Sequence, residues 1–506
     1  MKIRIPIYKK TYAFLAGMLC VAGLPPYYVL MAPIIGFCSL MLILNDAKSK
    51  KEAFAAGYWF GFGFFSFGLS WIGNAVLIEP ERTGWLFPII LLSSGGFFGL
   101  FAAFPAMFTW FAKSIWRKIF VFAAMWTVFE WIRGFFLSGF PWNPVGSMFA
   151  FWSQLIQSAA IIGTFGLSFV AVLFFCLPAA GILKRGRQTA EALIVMALVF
   201  FVNAEYGVLR LKYADNGNSD TKIRIVQPAI PQVLKWEKSA LGENFAQYAA
   251  MSAQSGIDDI DFVIWGETAS PYNPRFMPQY LQKFVTAVPN DGYLLFGAVD
   301  YEFEDGDYRP KNSMLVMNKD GDIVDSYDKS HLVPFGEYIP FRKYLPDFVQ
   351  PVAKIIGDFK AGDAHKVISL KDKPSLGALI CYEVIFPADV VDENNRPQWI
   401  AVLTNDGWYG DSMGPYQHLV SAQMRAIEEG LPIVRSANSG ISAIIDAYGQ
   451  ITEQLGLQKR GVVDGLLPKP LSRPTIYSKI HNLPISALCL LIAAISIFFK
   501  RKNKQK

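Results

Sequence analysis

The sequence predicts a protein of two kinds of structure: a polytopic α-helical membrane region of eight spans, and an α/β layered domain inserted before the last span. Three observations predict it. Hydrophobic residues make up 53% of the 506-residue chain and charged residues only 17%, well below the roughly 25% of soluble domains. Apolar stretches long enough to cross a bilayer, about 20 residues each, recur through the first 208 residues and once more near the end. Between them the pattern changes to short β-like runs separated by turn signals and polar helical stretches, which is the signature of a layered α/β domain. Disorder is excluded by 42 Phe, 21 Tyr and 13 Trp, far more apolar surface than a disordered chain carries.

The apolar stretches fall near 27–45, 52–74, 84–112, 119–136, 155–183, 190–208 and 483–499, with a shorter one near 11–24 that ends at Pro25-Pro26. Lys2, Arg4, Lys9 and Lys10 before an apolar run imitate a signal peptide, but no small-x-small cleavage site follows and another span comes at once, so the segment reads as a retained first span. Basic clusters at the N-terminus, at Lys48/Lys50/Lys51, at Lys113/Arg117/Lys118, at Lys184/Arg185/Arg187 and in the tail from Lys500 to Lys504 alternate with loops poor in Lys and Arg. The positive-inside rule then puts both termini in the cytoplasm and the segment between spans seven and eight outside it. Arg210 and Lys212 beside span seven run against that assignment. The net charge of +6 is thereby read as topology and not as a nucleic-acid footprint. The expected domains are 1–208 (seven helices), 209–480 (the α/β domain) and 481–506 (the eighth helix and a basic tail).

One loop on the expected outer side, Gly139-Phe140-Pro141-Trp142-Asn143-Pro144, follows Glu130 and Arg133. Charges near the end of a span are often functional, and a Trp/Arg interfacial anchor is the plainer alternative.

In the polar segment, strands are expected at 223–227, 261–265, 293–297, 313–317, 377–380, 399–403 and 433–436, and a hairpin from Ser442 through the turn at 446–449. Helices are expected at 238–255, 276–288 and 416–429. Five cysteines at wide spacing and four scattered histidines make neither a disulfide framework nor a zinc site. Cys381 alone stands in polar surroundings.

Three polar residues sit where strands run out. Glu267 follows Val263-Ile264-Trp265-Gly266; partial desolvation would raise its pKa toward that of a general base, and helix capping is the alternative. Lys329, in Asp328-Lys329-Ser330-His331-Leu332-Val333-Pro334-Phe335-Gly336-Glu337, has the charge to stabilise an oxyanion, or is a surface lysine. Cys381, after Gly377-Ala378-Leu379-Ile380 and before Tyr382-Glu383, lies on a strand-to-helix turn where a helix N-terminus would lower its pKa; a buried structural cysteine is the competing reading. A base, an electrophile and a thiol are the parts of acyl transfer through a thioester.

With Trp-Gly-Glu, Asp-Lys-Ser-His-Leu-Val-Pro-Phe-Gly-Glu, Ile-Cys-Tyr-Glu and the later Leu403-Thr404-Asn405-Asp406-Gly407-Trp408-Tyr409-Gly410 around them, these residues resemble the catalytic set of the nitrilase (carbon–nitrogen hydrolase) superfamily. The eight expected spans with such a domain before the last one resemble its membrane-embedded branch, the apolipoprotein N-acyltransferases. That resemblance implies an αββα sandwich facing the periplasm of a bacterial inner membrane. It implies a reaction in which Cys381 takes an acyl chain from a phospholipid, typically phosphatidylethanolamine, and passes it to the α-amino group of an N-terminal S-diacylglyceryl-cysteine of an apolipoprotein. It assigns Glu267 as general base and Lys329 as oxyanion stabiliser together with the Tyr382 N–H. Glu337 would hold Lys329 and the amine, Glu383 would support the pocket, and Trp236 and Trp408 would contribute to substrate binding. For Trp236 a core or interface role competes. No cofactor or metal is called for.

Physics also supports a lipid substrate: a water-soluble amide hydrolase has no need of eight spans, and exposing the acyl chains of the implied substrates to water costs about 0.8 kcal/mol per CH₂. The apolar stretch 341–359, with Tyr344-Leu345-Pro346 and Phe348-Val349, is expected either to enter the interface as an arm or to form an ordinary buried loop. Two other functions stay open at this level. A membrane-anchored amidase or nitrilase hydrolysing a small carbon–nitrogen substrate shares the first half-reaction. A membrane scaffold or transporter carrying an inactive domain would keep its function without Cys381.

Overall fold

The computed structural model describes residues 7–183, 186–215, 217–304, 306–346, 350–351 and 358–498. They form two compact units, one of Met1–Gly73, Trp85–Ala214 and Thr475–Lys506, the other of Asn74–Gly84 and Asp215–Pro474.

The first unit is helical. Pro80–Phe111, Ala159–Leu183 and Arg187–Lys212 are long and apolar enough to cross a membrane, and Lys50–Gly68 with Ser70–Leu77, bent by 43°, makes a fourth if the pair is one span. Met31–Asn45 and Leu483–Phe498 are apolar but shorter. Ile7–Cys20 has 14 residues, about 21 Å at 1.5 Å per residue, less than a hydrocarbon core of about 30 Å. The expected span 52–74 is broken because the chain leaves the α-helix at Leu69 and continues as a 3-10 turn. The basic residues 2, 4, 184, 185, 500–502 and 504 lie outside the described residues. Helices approach closely where side chains are absent: a Cβ on Gly17 would lie 1.9 Å from the Phe60 carbonyl oxygen, the small-residue contact that drives packing where no water is expelled.

In the loop after Arg133, Phe135, Phe136 and Leu137 are exposed and the stretch 139–144 is largely buried. Trp142 and Arg133 are buried. Arg133 Nη1 donates to the carbonyls of Phe140 and Trp142 at 2.7 and 2.6 Å. Glu130 Oε1 accepts from Trp126 Nε1 and the Val145 N–H at 3.1 and 3.0 Å, and Trp142 packs on Trp71 with centroids 4.4 Å apart. Paired and hydrogen-bonded charges of this kind are what buried polar groups require, so these residues clamp the loop to its helices.

The second unit is an α/β sandwich of twelve strands: β1 Asn218–Gln227, β2 Phe262–Ile264, β3 Tyr293–Glu304, β4 Asp307–Met317, β5 Ile323–Asp328, β6 Val367–Ile368, β7 Leu376–Ile380, β8 Trp399–Thr404, β9 Ile433–Ala437, β10 Ser442–Ile445, β11 Ile451–Leu455 and β12 Gly461–Pro468. They make two six-stranded sheets, ordered β12-β1-β2-β3-β4-β5 and β11-β10-β9-β8-β7-β6. Pairs β1/β2, β2/β3, β7/β8 and β8/β9 are parallel and the rest antiparallel.

Side-chain alternation with period two explains the layers. Ile223, Ile225, Phe262 and Ile264 face the second sheet and pack with Leu376, Ala378, Ile380, Trp399 and Leu403. Their neighbours Val226, Val263 and Trp265 face the other way, against Phe245, Tyr248 and Met251 of helix Leu241–Ser252 and against Phe284. Helix Gly414–Glu429 lies against the second sheet. It begins with a proline in its first turn and stops at Gly430, whose φ of +66° suits only glycine comfortably.

Nine of the twelve strands coincide with sequence expectation; β5, β6 and β12 were not anticipated. The expected helix 276–288 is reduced to the 3-10 turn Pro278–Tyr280 and Leu281–Val285.

Candidate active site

Three turns bring the site together. Past β2, the Trp265 N–H still donates to Leu295 O at 2.9 Å, but the Glu267 N–H crosses to Thr404 O on the second sheet at 3.3 Å. Lys329 follows the last residue of β5, with its N–H on Asn312 O of β4 at 2.8 Å. Cys381 follows β7 directly and has φ of +53°, a left-handed conformation that costs a non-glycine residue of order 1–3 kcal/mol and persists only where the surroundings enforce it. Ligand sites of open α/β sheets lie beyond the carboxyl ends of the strands, and Glu267, Lys329 and Cys381 all occupy such ends.

Glu267, Lys329 and Glu337 form one buried cluster. Lys329 Nζ donates to Glu267 Oε1 at 3.2 Å and to Glu337 Oε1 at 2.9 Å. Asn312 Nδ2 donates to the same two oxygens, at 2.8 and 2.9 Å, and the Val333 N–H donates to Glu337 Oε2 at 2.8 Å. Burial opposes the charge on Lys329, but Glu267, Glu337 and Cys381 more than offset it and its pKa is raised. Burial would raise the Glu267 pKa, as expected from sequence; Lys329, Lys235 and the Asn312 amide outweigh it, and the carboxyl titrates below its ordinary value. Trp265 is not its neighbour in the site, since its indole points into the helix-facing core.

Cys381 is buried, and its thiol pKa is pushed up to about 12 by burial first and then by Glu267, with Lys329 and a hydrogen bond from Thr404 pulling the other way. The expected depression does not occur, because burial and then the charge of Glu267 outweigh the lowering influences; the turn that Cys381 opens, Cys381–Ile385, is a 3-10 helix of only five residues. Thr404 Oγ1 lies 3.1 Å from Sγ and the Tyr409 hydroxyl 3.9 Å. A thiol of this kind needs a base at the moment of attack, and the carboxylates whose charge bears on it are Glu267 and then Asp406.

Beneath the thiol lies a second polar group. His418 Nε2 is 3.1 Å from the Cys381 carbonyl oxygen and Nδ1 is 2.8 Å from Asp406 Oδ1. Arg435 Nη2 donates to Asp406 Oδ2 at 2.5 Å. All three side chains are fully buried.

Glu383 is buried and bonded to both the cysteine and the lysine segments, described below. Tyr382 packs its ring on Phe386 at 5.1 Å. Trp236 and Trp408 are half-buried; Trp236 follows buried Lys235, and Trp408 lies in the turn Asp406–Tyr409 that carries the hydroxyl near Sγ. Of the stretch 341–359, Phe348 and Val349 lie outside the described residues. Phe341 and Tyr344 are exposed, and Arg342 pairs with Asp358 through Nε–Oδ2 at 3.1 Å and Nη2–Oδ1 at 3.0 Å. Asn312, Lys235, His418 and Arg435 carried no role in the sequence reading. Thr404 and Asp406 did sit inside a motif quoted for the resemblance. Among the described residues, no group of three or more His, Cys, Asp and Glu side chains could hold a metal.

An α/β sandwich with a buried Glu–Lys pair beside a thiol is the class of the carbon–nitrogen hydrolases, and residues 222–477 match that family's model. Residues 16–177 match the model of the apolipoprotein N-acyltransferase N-terminal domain. The chain belongs to the apolipoprotein N-acyltransferase family, a family of acyltransferases. The apolipoprotein N-acyltransferase of Rhodopseudomonas palustris is 38% identical over 97% of this chain and 95% of its own length. Those of Brucella melitensis (38%, covering 90% and 89%) and Rickettsia bellii (35%, covering 97% and 98%) are similar along nearly the whole chain as well. Among solved structures, an amidase from Nesterenkonia sp. aligns with 50% of this chain and 92% of its own at 18% identity and a TM-score of 0.35, too loose a superposition to carry an inference.

Proposed function

We propose that this acyltransferase moves a fatty acyl chain from a phospholipid, phosphatidylethanolamine foremost, to the α-amino group of an N-terminal S-diacylglyceryl-cysteine of apolipoproteins, by a ping-pong route through a Cys381 thioester. The thiol gives its proton to Glu267 as Sγ attacks the ester carbonyl. The oxyanion is held by Lys329 and the Tyr382 N–H. Collapse expels the lysophospholipid alkoxide, which takes the proton from Glu267. The lipoprotein amine then attacks the thioester and yields a proton to Glu267, and the departing sulfur recovers it as the amide forms. Glu337 keeps Lys329 in line and receives the amine, Glu383 supports the pocket, and Trp236 and Trp408 line the substrate path.

The same reading gives the chain eight spans, a bacterial inner-membrane location with both termini cytoplasmic, and a periplasmic catalytic domain over 209–480, between a seven-helix region at 1–208 and a final helix and tail at 481–506. Water must be kept from the thioester until the amine arrives, which an apolar pocket achieves.

The observation that supports this reading is the ionised Glu267, bonded to Lys329 and acting on a protonated Cys381 thiol: a base, an electrophile and a nucleophile in their starting protonation states. The test is intact-protein mass of wild type and Cys381→Ser after incubation with phosphatidylethanolamine. A fatty-acyl increment on wild type alone, discharged by a diacylglyceryl-cysteine peptide and stable in water, is expected. Discharge by water at the same rate would instead make the protein a hydrolase.

A further inference from the structure

The site holds a second buried lysine that the reaction scheme leaves idle. Lys235 follows β1 in the run Pro231-Gln232-Val233-Leu234-Lys235-Trp236, and the exposure of the residue is only 6%. Its Nζ donates to the main-chain oxygen of Glu267 at 2.9 Å. Among the described residues that oxygen is its only hydrogen-bond acceptor, and no carboxylate stands within ion-pair distance of it. Lysine is almost never buried unless paired, so an ammonium kept dry against one carbonyl must be stabilised by charge at longer range. The groups acting on it are Glu267, from the turn after β2, and Cys381, from the turn after β7. Behind them stand Lys329, which acts on both, Glu337, which acts on Lys329, and Asp406, which acts on Cys381.

The charges in this dry region sum simply. With both lysines protonated, Glu267 and Glu337 ionised, Cys381 a thiol and Asp406 matched by its ion pair with Arg435, the groups total zero. Moving the thiol proton to Glu267 leaves the total at zero, because one negative charge has changed places. Without the Lys235 proton the same transfer takes place in a group of net charge −1, where an anionic sulfur is disfavoured.

We propose that Lys235 is a positioning and charge-balancing residue of the site: its ammonium holds the Glu267 turn and offsets the negative charge shared by Glu267 and Cys381, and its deprotonation switches off thioester formation. Burial, set against Glu267 and Cys381, brings the Lys235 pKa down to about 8, so the switch lies within reach of ordinary buffers. The claim rests on the acyl-transfer reading only for its electrophile.

The test follows the first half-reaction alone, across pH, in detergent-solubilised full-length protein. Acylation by phosphatidylethanolamine is read by intact mass, and alkylation of Cys381 by iodoacetamide is read in parallel. Both are measured for wild type, Lys235→Arg and Lys235→Met. Wild-type acylation should break near pH 8 and fall about tenfold per pH unit beyond it, as for loss of a single proton. Lys235→Arg, whose charge persists, should lose the break. Lys235→Met should be slower by roughly tenfold or more at neutral pH and show no break. A break at the same pH in both variants, or its absence from wild type, overturns the proposal, and the wild-type curve decides even if Lys235→Met does not fold. If phospholipid fails to acylate wild type while alkylation still shows a break that Lys235→Arg removes, the acyl-transfer reading falls and the role of Lys235 stands.

Discussion

The Ser330 N–H donates to Glu383 Oε1 at 2.8 Å, joining the residue after Lys329 to the third residue of the turn that Cys381 opens. The same oxygen accepts from the Tyr327 hydroxyl at 2.7 Å, the Ser330 hydroxyl at 2.8 Å and the His331 N–H at 3.1 Å. The other oxygen takes the Ile380 N–H at 2.6 Å. One carboxylate thus fastens the lysine of the first sheet to the cysteine of the second.

Glu383→Gln has one acceptor oxygen where Glu383 has two, so its amide must turn N–H groups toward donors on one side. Losing a hydrogen bond to a charged group costs about 1.5–3 kcal/mol, and a misplacement of about 1 Å at a reacting centre costs on the order of 100-fold. A lower melting temperature and a drop of that order in acyl-enzyme formation are expected. A variant that melts lower but acylates at the wild-type rate would limit Glu383 to stability.

Asn312 holds down the pKa of Glu267 by donating to it. In the proposed reaction the base works ionised, so the acid limb of the acylation rate follows that pKa. Asn312→Leu removes the donor, raises the pKa and should move the acid limb to higher pH. The pH dependence of acyl-enzyme formation measures it.

Thr404→Val keeps the shape but deletes the hydroxyl 3.1 Å from Sγ, a hydrogen bond that lowers the thiol pKa. Iodoacetamide labelling of Cys381 should slow by about tenfold, while unfolding free energy changes by about 1 kcal/mol.

Asp406 is fully buried; burial opposes its charge, but Arg435 and His418 more than compensate and hold its carboxyl well below the usual carboxylate range. A pKa depressed in the folded state gives stability present above the unfolded value of about 3.9 and lost as pH falls below it. Asp406→Asn strands the buried Arg435 guanidinium and should cost about 3–5 kcal/mol near neutrality. Melting curves should show the variant less sensitive to acid than wild type between about pH 5 and 2.

Much of the sandwich was readable from residues alone. Strands such as Trp399–Thr404 are continuous apolar runs because both faces are covered, and that pattern survives without structural knowledge. The strand leading to Lys329 did not stand out: Ile323–Asp328 is an edge strand with Asp325, Ser326 and Asp328 in it, and its sequence imitates a loop. Glu267 and Cys381 were visible because each follows a legible apolar strand, and Lys329 because of the run from Asp328 to Glu337 around it. Asn312 was not, because a polar residue inside a strand looks like an outward-facing one until its partners are known. The direction of the thiol shift was also out of reach, since it depends on burial and on Glu267, a residue more than a hundred positions away.

Glu267 and Lys329 belong to one sheet and Cys381 to the other, so the chemistry exists only while the two slabs keep their alignment. Reactivity of the sulfur is therefore a gauge of assembly: a half-formed domain, with one slab in place and its mate adrift, leaves Cys381 without Glu267 and Lys329 beside it.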